Sequence, residues 1–324
     1  MRTMKILFLA SHWRVTLVRA FQEAKAGFEP AVELFCVDSD ALAPSFKEAD
    51  HSQVCPLFSD PECLQWLIRF CEAQKISALV PLTNKSIEFM QAHRQELSVS
   101  GCRLWIPENH AIETCHDKWE FFEFLTTAGF VTPQTYLSGN MAVTPTFPLI
   151  AKPRRGEGSK NVFRVEDQTD LEFYMKKYPQ HVFQQYVAGQ EFSVDCFFDQ
   201  NGLPRLIVPR ERLAVRGGEV MASRIHMDSA IIDSVKSLGV KLGLTGPCTI
   251  QGILDKSGKF NFTDANLRFG SGFVHTISAG GDVPLQMYKE LAGQELGSVR
   301  SKIKAHSMMT RFPENFFSHE NLGS

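Results

Sequence analysis

Residues 246–272, GPCTIQGILDKSGKFNFTDANLRFGSG, decide how the rest of this chain is read. They divide into two strands joined by the polar turn Lys256-Ser257-Gly258-Lys259, which sets Gln251 across from Asp264, with Asn266 two residues later on the same face. Three oxygen-bearing side chains then converge on one patch. A hard dication such as Mg²⁺ takes oxygen ligands, keeps several waters, and reaches protein through one or two carboxylates while phosphate oxygens complete its shell. Asp264, with the amide oxygens of Asn266 and Gln251, meets that need, and Arg268 offers a permanent cation to a phosphoryl group in transfer. Ile250, Ile253, Leu254, Phe260 and Phe262 make the pair read as part of a buried sheet, where an unpaired Asp is costly. The same residues also suit an exposed hairpin, with Asp264, Asn266 and Arg268 forming a solvated turn and a local ion pair.

The chain of 324 residues has room for two or three domains and a sizeable core. A formal net charge of −2 argues against a polyanion-binding surface, so no nucleic-acid partner is expected. The eight cysteines form no CxxC pair and no Cys/His run of zinc-like spacing; scattered through apolar stretches, they read as reduced core residues of a cytoplasmic protein. The apolar run near the N-terminus is too short for a signal peptide and reads as a first strand. No run approaches the ~18 apolar residues of a membrane span.

From the N-terminus, apolar runs at 4–9, 32–38, 76–82 and 102–107 alternate with helical stretches, the pattern of a parallel sheet covered on both faces. Residues 1–108 are therefore expected to form a doubly wound α/β domain. The first loop has no glycine between Phe8 and Ala26, which argues against a dinucleotide pyrophosphate there. Ligands of open parallel sheets lie beyond the carboxyl ends of the strands, so Ser11, Arg14, Asp38 and a loop Thr83-Asn84-Lys85 can line a small-molecule pocket; singly, each also reads as a cap or a solvated residue.

A single helix is expected from 109 to about 129. Beyond it, the strand Leu149–Ala151 ends in Lys152 and leads into PRRGEGSK, where Gly156 and Gly158 supply backbone freedom and Arg154, Arg155 and Lys160 add charge. Lysine at the end of a buried strand needs an anionic partner, and a glycine loop can fold its N–H groups over one, although a basic loop of this kind also suits a solvated hairpin tip. Next, a strand at 181–187 breaks at Ala188-Gly189, leaving the backbone of Gln185–Val187 to meet an adenine edge and Glu191 to accept from ribose hydroxyls; a plain hairpin fits as well. Residues 204–226 carry Arg205, Arg210, Arg212, Arg216 and Arg224 around Gly217-Gly218, and of these Arg210, Arg212 and Arg216 hint at an anionic substrate. No Ser/His/Asp or Cys/His triad is evident. His275, near the glycines of 270–272, reads first as structural, though it and Ser271 lie where an acceptor can be touched.

Taken together, the pair Asp117-Lys118, the strand ending in Lys152, the loop GEGS, the segment QQYVAGQEFSVD and the pattern GPCTIQG…TDANLRFGSG resemble the ATP-grasp superfamily, and within it the branch similar to the large subunit of carbamoyl phosphate synthetase. The resemblance covers nearly the whole chain in the family's order. It implies a pre-ATP-grasp α/β domain (1–108), a linker helix with a small lid lobe (109–187) and a large lobe with the metal site (188–324), the last two forming a two-lobed ATP-grasp α+β domain. By matching position, Lys118 and Lys152 contact phosphates or adenine, the loop 156–160 with Gly156, Gly158, Ser159 and Lys160 covers the phosphates, Tyr186 and Val187 offer backbone to adenine, and Glu191 holds ribose. Gln251, Asp264 and Asn266 carry Mg²⁺, or Mn²⁺ in its place, and Arg268 and Lys152 serve phosphoryl transfer.

The activity so implied is ADP-forming ligation of a small carboxylate to an amine through an acyl phosphate, with a homodimer allowed. Phosphorylation of bicarbonate or carbamate, and a non-catalytic ATP sensor, are the alternatives. Three departures from the family stand out: Asp264 replaces a Glu, Asn161 stands where a further Gly is common, and Thr83-Asn84-Lys85-Ser86 replaces a loop that often bears two carboxylates.

Overall fold

A computed structural model describes residues 3–139, 145–158, 160–297 and 303–317. Its first sheet is wholly parallel, with strands β1 (Met4–Leu9), β2 (Val32–Asp38), β3 (His51–Val54), β4 (Ala78–Pro81) and β5 (Arg103–Leu104) in the order β3-β2-β1-β4-β5. Helices α1 (Val15–Glu23), α2 (Cys63–Gln74), α3 (Asn84–Ala92) and α4 (Arg94–Val99) connect and cover it. Strand order reverses between β1 and β4, so the crevice beyond their carboxyl ends holds the loop that starts at Ala10. Asp38 ties that loop down: its carboxylate accepts from the His12 N–H at 3.0 Å.

Two expectations need correction here. The Thr83-Asn84-Lys85 segment is a helix start, in which Thr83 and Ser86 exchange side-chain-to-backbone bonds as a capping box. The stretch after 108 is two helices, α5 (Asn109–His116) and α6 (Lys118–Thr127), because Asp117 leaves the helical backbone and caps α6, accepting from the Trp119 and Glu120 N–H groups.

A second, four-stranded sheet follows, in the order β6-β9-β7-β8, made of β6 (Thr135–Leu137), β7 (Leu149–Pro153), β8 (Phe163–Val165) and β9 (His181–Gln185), with α7 (Gln168–Lys177) on it. The chain then crosses into a third sheet, so the bend at Ala188 is a passage between sheets and no hairpin. That sheet runs β14-β13-β10-β11-β12-β15, with β10 (Gly189–Phe198), β11 (Pro204–Arg216), β12 (Glu219–Ile225), β13 (Gly246–Asp255), β14 (Phe260–Asn266) and β15 (Met308–Thr310); α8 (Ser229–Leu242), α9 (Phe273–Ser278) and α10 (Val283–Leu291) belong to the same region.

The cores divide unevenly. Ile6, Phe8 and Phe21 of the first sheet and α1 pack with Phe269, Phe273 and Tyr288, and the Tyr288 hydroxyl donates to the Phe21 carbonyl at 2.6 Å. Ile112 and Phe121 of α5 and α6 likewise share one core with Val194, Ile250 and Phe262. The four-stranded sheet has a small core of its own around Leu149, Ala151, Val165, Leu171 and Phe183. The first and third sheets and the linker helices thus form one packed body, while the second sheet is joined to it by few apolar contacts, as hinged lobes are.

Within the third sheet, Gln251 does face Asp264, and Thr249 faces Asn266. The register shifts by one residue between Gln251 and Gly252, leaving Thr263 as the extra residue of a β-bulge on β14. Strict alternation would put Phe260, Phe262, Asp264 and Asn266 on one face. The bulge breaks that alternation, so that Phe260 and Phe262 stay in the core with Ala265 and Leu267, while Asp264, Asn266 and Arg268 turn to an open cleft. Deleting Thr263 is expected to force those three polar side chains against the core; denaturant unfolding should show a loss of several kcal/mol, and an unchanged midpoint would contradict the bulge's role.

Candidate functional site

The cleft opens into a cavity of about 2450 Å³ between the three sheets. Its metal-like patch consists of Gln251, Asp264 and Asn266. Asp264 Oδ1 accepts from the Ala265 N–H at 3.1 Å, and Oδ2 has no protein donor among the described residues. Asn266 Oδ1 accepts from Arg268 Nη2 at 3.2 Å. Among the described residues there is no cluster of three His, Cys, Asp or Glu side chains, so a protein-only cage is not built here. One carboxylate with two amides fits instead a hard dication that keeps waters and takes phosphate oxygens.

Lys152, at the end of β7, is buried and reaches across to the third sheet. Its Nζ donates to Gln184 Oε1 at 2.8 Å and to the Thr263 carbonyl at 3.1 Å, so the bulge residue receives the lysine. Gln184 opens the segment QQYVAGQEFSVD, yet the sequence alone assigns it no role of its own. Burial lowers the Lys152 pKa from its ordinary 10.5 to about 8, with Lys118 adding repulsion and Asp264 opposing it.

The glycine loop lies over this group. Lys118 Nζ donates to the Gly156 carbonyl at 3.2 Å, and Glu157, another residue the sequence reading passed over, bridges to Arg268 at 2.7 Å. Gly156, Gly158 and Lys160 line the cavity; Ser159 lies outside the described residues. Asn161 holds φ 54°, a left-handed backbone that asparagine tolerates better than most residues. Asp117 anchors the loop's root, its carboxylate accepting from Arg154 Nε at 2.7 Å and Arg155 Nε at 3.2 Å.

The residues expected around adenine and ribose do not line this cavity. The Gln185 and Tyr186 N–H groups already donate to the Gln134 and Pro148 carbonyls, so the chain at this point offers fewer free donors than a strand that stops pairing. Val187 is half-buried beside them. Glu191 pairs with Arg212 at 3.2 Å at the cavity's edge.

At the other end the arginines differ from one another. Arg210 is 1% exposed and donates through Nε and Nη2 to Asp195, which also accepts from Thr249 and Thr276; it is first of all a core ion pair, although its unpartnered Nη1 faces the cavity. Arg205 and Arg224 pair with Asp199 and Glu211. Arg216 lines the cavity without a carboxylate partner among the described residues. Arg14, from the first sheet's crevice, donates to the Leu82 carbonyl at 3.0 Å. Ser271 lines the cavity too, and His275, buried between the Ser223 and Ser307 hydroxyls, has its pKa lowered to about 4 by burial and by Arg210, which keeps it neutral at pH 7.

Two family models match the chain: an ATP-grasp domain over residues 115–272 and a PylC-like N-terminal domain over residues 6–105. The chain carries an ATP-grasp domain.

The chain is similar to D-alanine–D-alanine ligase from Petrotoga mobilis, 29% identical over 90 residues (25% of this chain, 30% of that one). It is also similar to carbamoyl-phosphate synthase from Methanobrevibacter smithii, 22% identical over 189 residues, 56% of this chain and 46% of that one. The matches thus span less than half the length of these curated relatives. Among solved structures the ATP-grasp chain resembles an L-amino acid ligase from Bacillus licheniformis (TM-score 0.72, 19% identity, 93% of this chain and 78% of that one) and a biotin carboxylase from Campylobacter jejuni (TM-score 0.71, 18% identity, 94% and 74%). These share the fold. All eight cysteines are free, and no described helix is long and apolar enough to cross a membrane.

Two outcomes follow from the geometry. Asp195→Ala leaves Arg210 charged and buried, and should cost about 3–5 kcal/mol in denaturant unfolding; a loss under about 1 kcal/mol would mean the pair is dispensable. Lys152 releases its proton near pH 8 when folded and near 10.5 when unfolded, so the unfolded chain holds more protons between those values and the wild type gains stability as pH rises through them. Relative to Lys152→Met, the gain should be on the order of 3 kcal/mol across the window. Parallel stability curves for the two proteins would rule out the lowered pKa.

Proposed function

We propose that this protein is an ATP-dependent carboxylate–amine ligase that works through an acyl phosphate and converts Mg-ATP to ADP and phosphate. The observation that carries the reading is the continuity of one cavity. The oxygen patch Gln251, Asp264 and Asn266 and the cations Lys118, Lys152 and Arg268 lie beneath the glycine loop, and the same space runs on to Arg14, Arg216, Ser271 and His275. A triphosphate at the first group and a carboxylate at the second would meet within one cavity.

A carboxylate is a poor electrophile at neutral pH. In the proposed first step a carboxylate oxygen bonds to the γ-phosphorus and the bond to the β,γ-bridging oxygen breaks, releasing ADP. In the second, the amine nitrogen bonds to the acyl carbon and phosphate leaves, taking up the proton the amine loses. This chain's share is positioning and charge neutralisation. Arg268 and Lys152 offset charge on the phosphoryl group, and Lys118 ties the loop that shields it. A magnesium ion held by Gln251, Asp264 and Asn266, when bound, neutralises and aligns phosphate oxygens. Adenine and ribose are assigned to the Gln185–Val187 backbone and Glu191 by resemblance alone.

The likeness to a D-alanine–D-alanine ligase and to an L-amino acid ligase supports carbon–nitrogen ligation, and the likeness to a carbamoyl-phosphate synthase and a biotin carboxylase makes phosphorylation of bicarbonate or carbamate the second reading. ADP release measured over a panel of carboxylates and amines tests the reading. Asp264→Ala should lower turnover at least a hundredfold, about 3 kcal/mol in the barrier, with an unaltered circular dichroism spectrum. Full turnover in that variant would remove the metal assignment. Mg-ATP binding without turnover on any acid would favour a sensor.

A further inference from the structure

Arg14, like Arg216, lacks a carboxylate partner among the described residues, unlike the other guanidinium groups of the cavity. Arg19, Arg210, Arg212, Arg268 and Arg311 each contact a carboxylate, whereas Arg14 contacts only the Leu82 carbonyl among the described residues. Arg14 and Arg268 line the same cavity, one from the first sheet's loop and one from the end of β14. Burial, and then the like charge of Arg268, push the Arg14 guanidinium down to about 9. Two cations held in one enclosed space are relieved by an anion placed between them.

The wall next to them is apolar and is brought there by a strap. Residues 308–316 leave β15 with the Arg311 N–H donating to the Met221 carbonyl at 2.8 Å and the Arg311 side chain bonding to Glu219 and to the Ser271 carbonyl. Glu314 then pairs with Arg19 of α1 at 3.1 Å, so the strap spans from the third sheet to the first. Along it Met308 and Phe312 line the cavity, as does Trp13, the residue before Arg14. Trp13 and Phe312 are 78% and 80% exposed, so large apolar surface is left open beside the half-buried Arg14 and Arg268. Such a surface at a cavity mouth marks a ligand contact.

We propose, resting on the ligase reading, that the carboxylate substrate is a monoacid with an apolar side group, its carboxylate bridging Arg14 and Arg268 and its apolar part lying against Trp13, Met308 and Phe312. Bridging brings the acid to the guanidinium that faces the phosphoryl group. The cations along that wall, Arg311 and Arg19, are already paired with Glu219 and with Glu48 and Glu314, so the second acid group of a dicarboxylate or sugar phosphate finds them engaged.

The test reads binding without turnover. Tryptophan fluorescence of the whole chain is titrated with 3-phenylpropionate, its amide, acetate, glutarate and inorganic phosphate. The expected result is a saturable change with 3-phenylpropionate that is lost in Trp13→Phe, with the amide, acetate and glutarate each weaker by roughly tenfold or more. Arg14→Gln should weaken the acid about tenfold and leave the amide unchanged, and Phe312→Ala should weaken 3-phenylpropionate without affecting acetate. Tighter binding of glutarate or phosphate, or an Arg14→Gln variant that binds the acid as the wild type does, would overturn the proposal. ADP release with the same acids then separates the two readings. Selective binding without ADP release on any amine defeats the ligase and keeps the subsite, whereas ADP release indifferent to the side group defeats the subsite and keeps the ligase.

Discussion

The extra residue at Thr263 is the constraint on which the rest of the site depends. Upstream of it β14 gives Phe260 and Phe262 to the core; downstream the phase has changed and the same strand gives Asp264, Asn266 and Arg268 to the cavity. A regular strand cannot do both, because its side chains alternate with a period of two. The bulge also frees the Thr263 carbonyl from the ladder, and that carbonyl accepts from Lys152. One irregularity thus sets the face of the metal-like patch and joins the two lobes across the cleft.

Charge around the patch is arranged by burial. Asp195 neutralises Arg210 inside the third sheet, and two threonine hydroxyls complete its acceptor capacity, so this pair shapes the floor of the cavity. Lys152 is buried with neutral partners near Asp264, and Arg14, which lines the same cavity as Arg268, has a backbone partner. Positive charge without carboxylate partners favours anions in the cleft. Glu157 holds Arg268 from the glycine loop, so a phosphoryl group arriving there competes with a carboxylate the protein itself supplies.

The division of cores sets the second sheet apart from the rest. The first and third sheets share side chains such as Phe21, Phe269 and Tyr288, whereas the second sheet keeps a separate small core. Its links to the remainder are polar: Lys152 to Thr263, Arg154 to Asp117, and Glu157 to Arg268. Polar links of this kind exchange partners at little cost, which suits a lobe that opens and closes over a ligand.

The sequence by itself determined the parallel first sheet, the paired strands around Gln251 and Asp264, and the basic glycine loop, because apolar periodicity and turn chemistry are local properties of the chain. It missed β3, whose residues His51–Val54 are all exposed and carry no apolar pattern, and it merged α5 with α6, since a capping Asp117 inside a helical stretch has no periodic mark. Only the tertiary structure decided that Thr263 is a bulge, that Arg210 pairs with Asp195 while Arg14 has no carboxylate partner among the described residues, and that residues 308–316 wall the cavity. Each of those depends on which distant residue arrives opposite. Partners such as Arg19 and Glu314, nearly a whole chain apart, are brought together by packing, which local sequence does not encode.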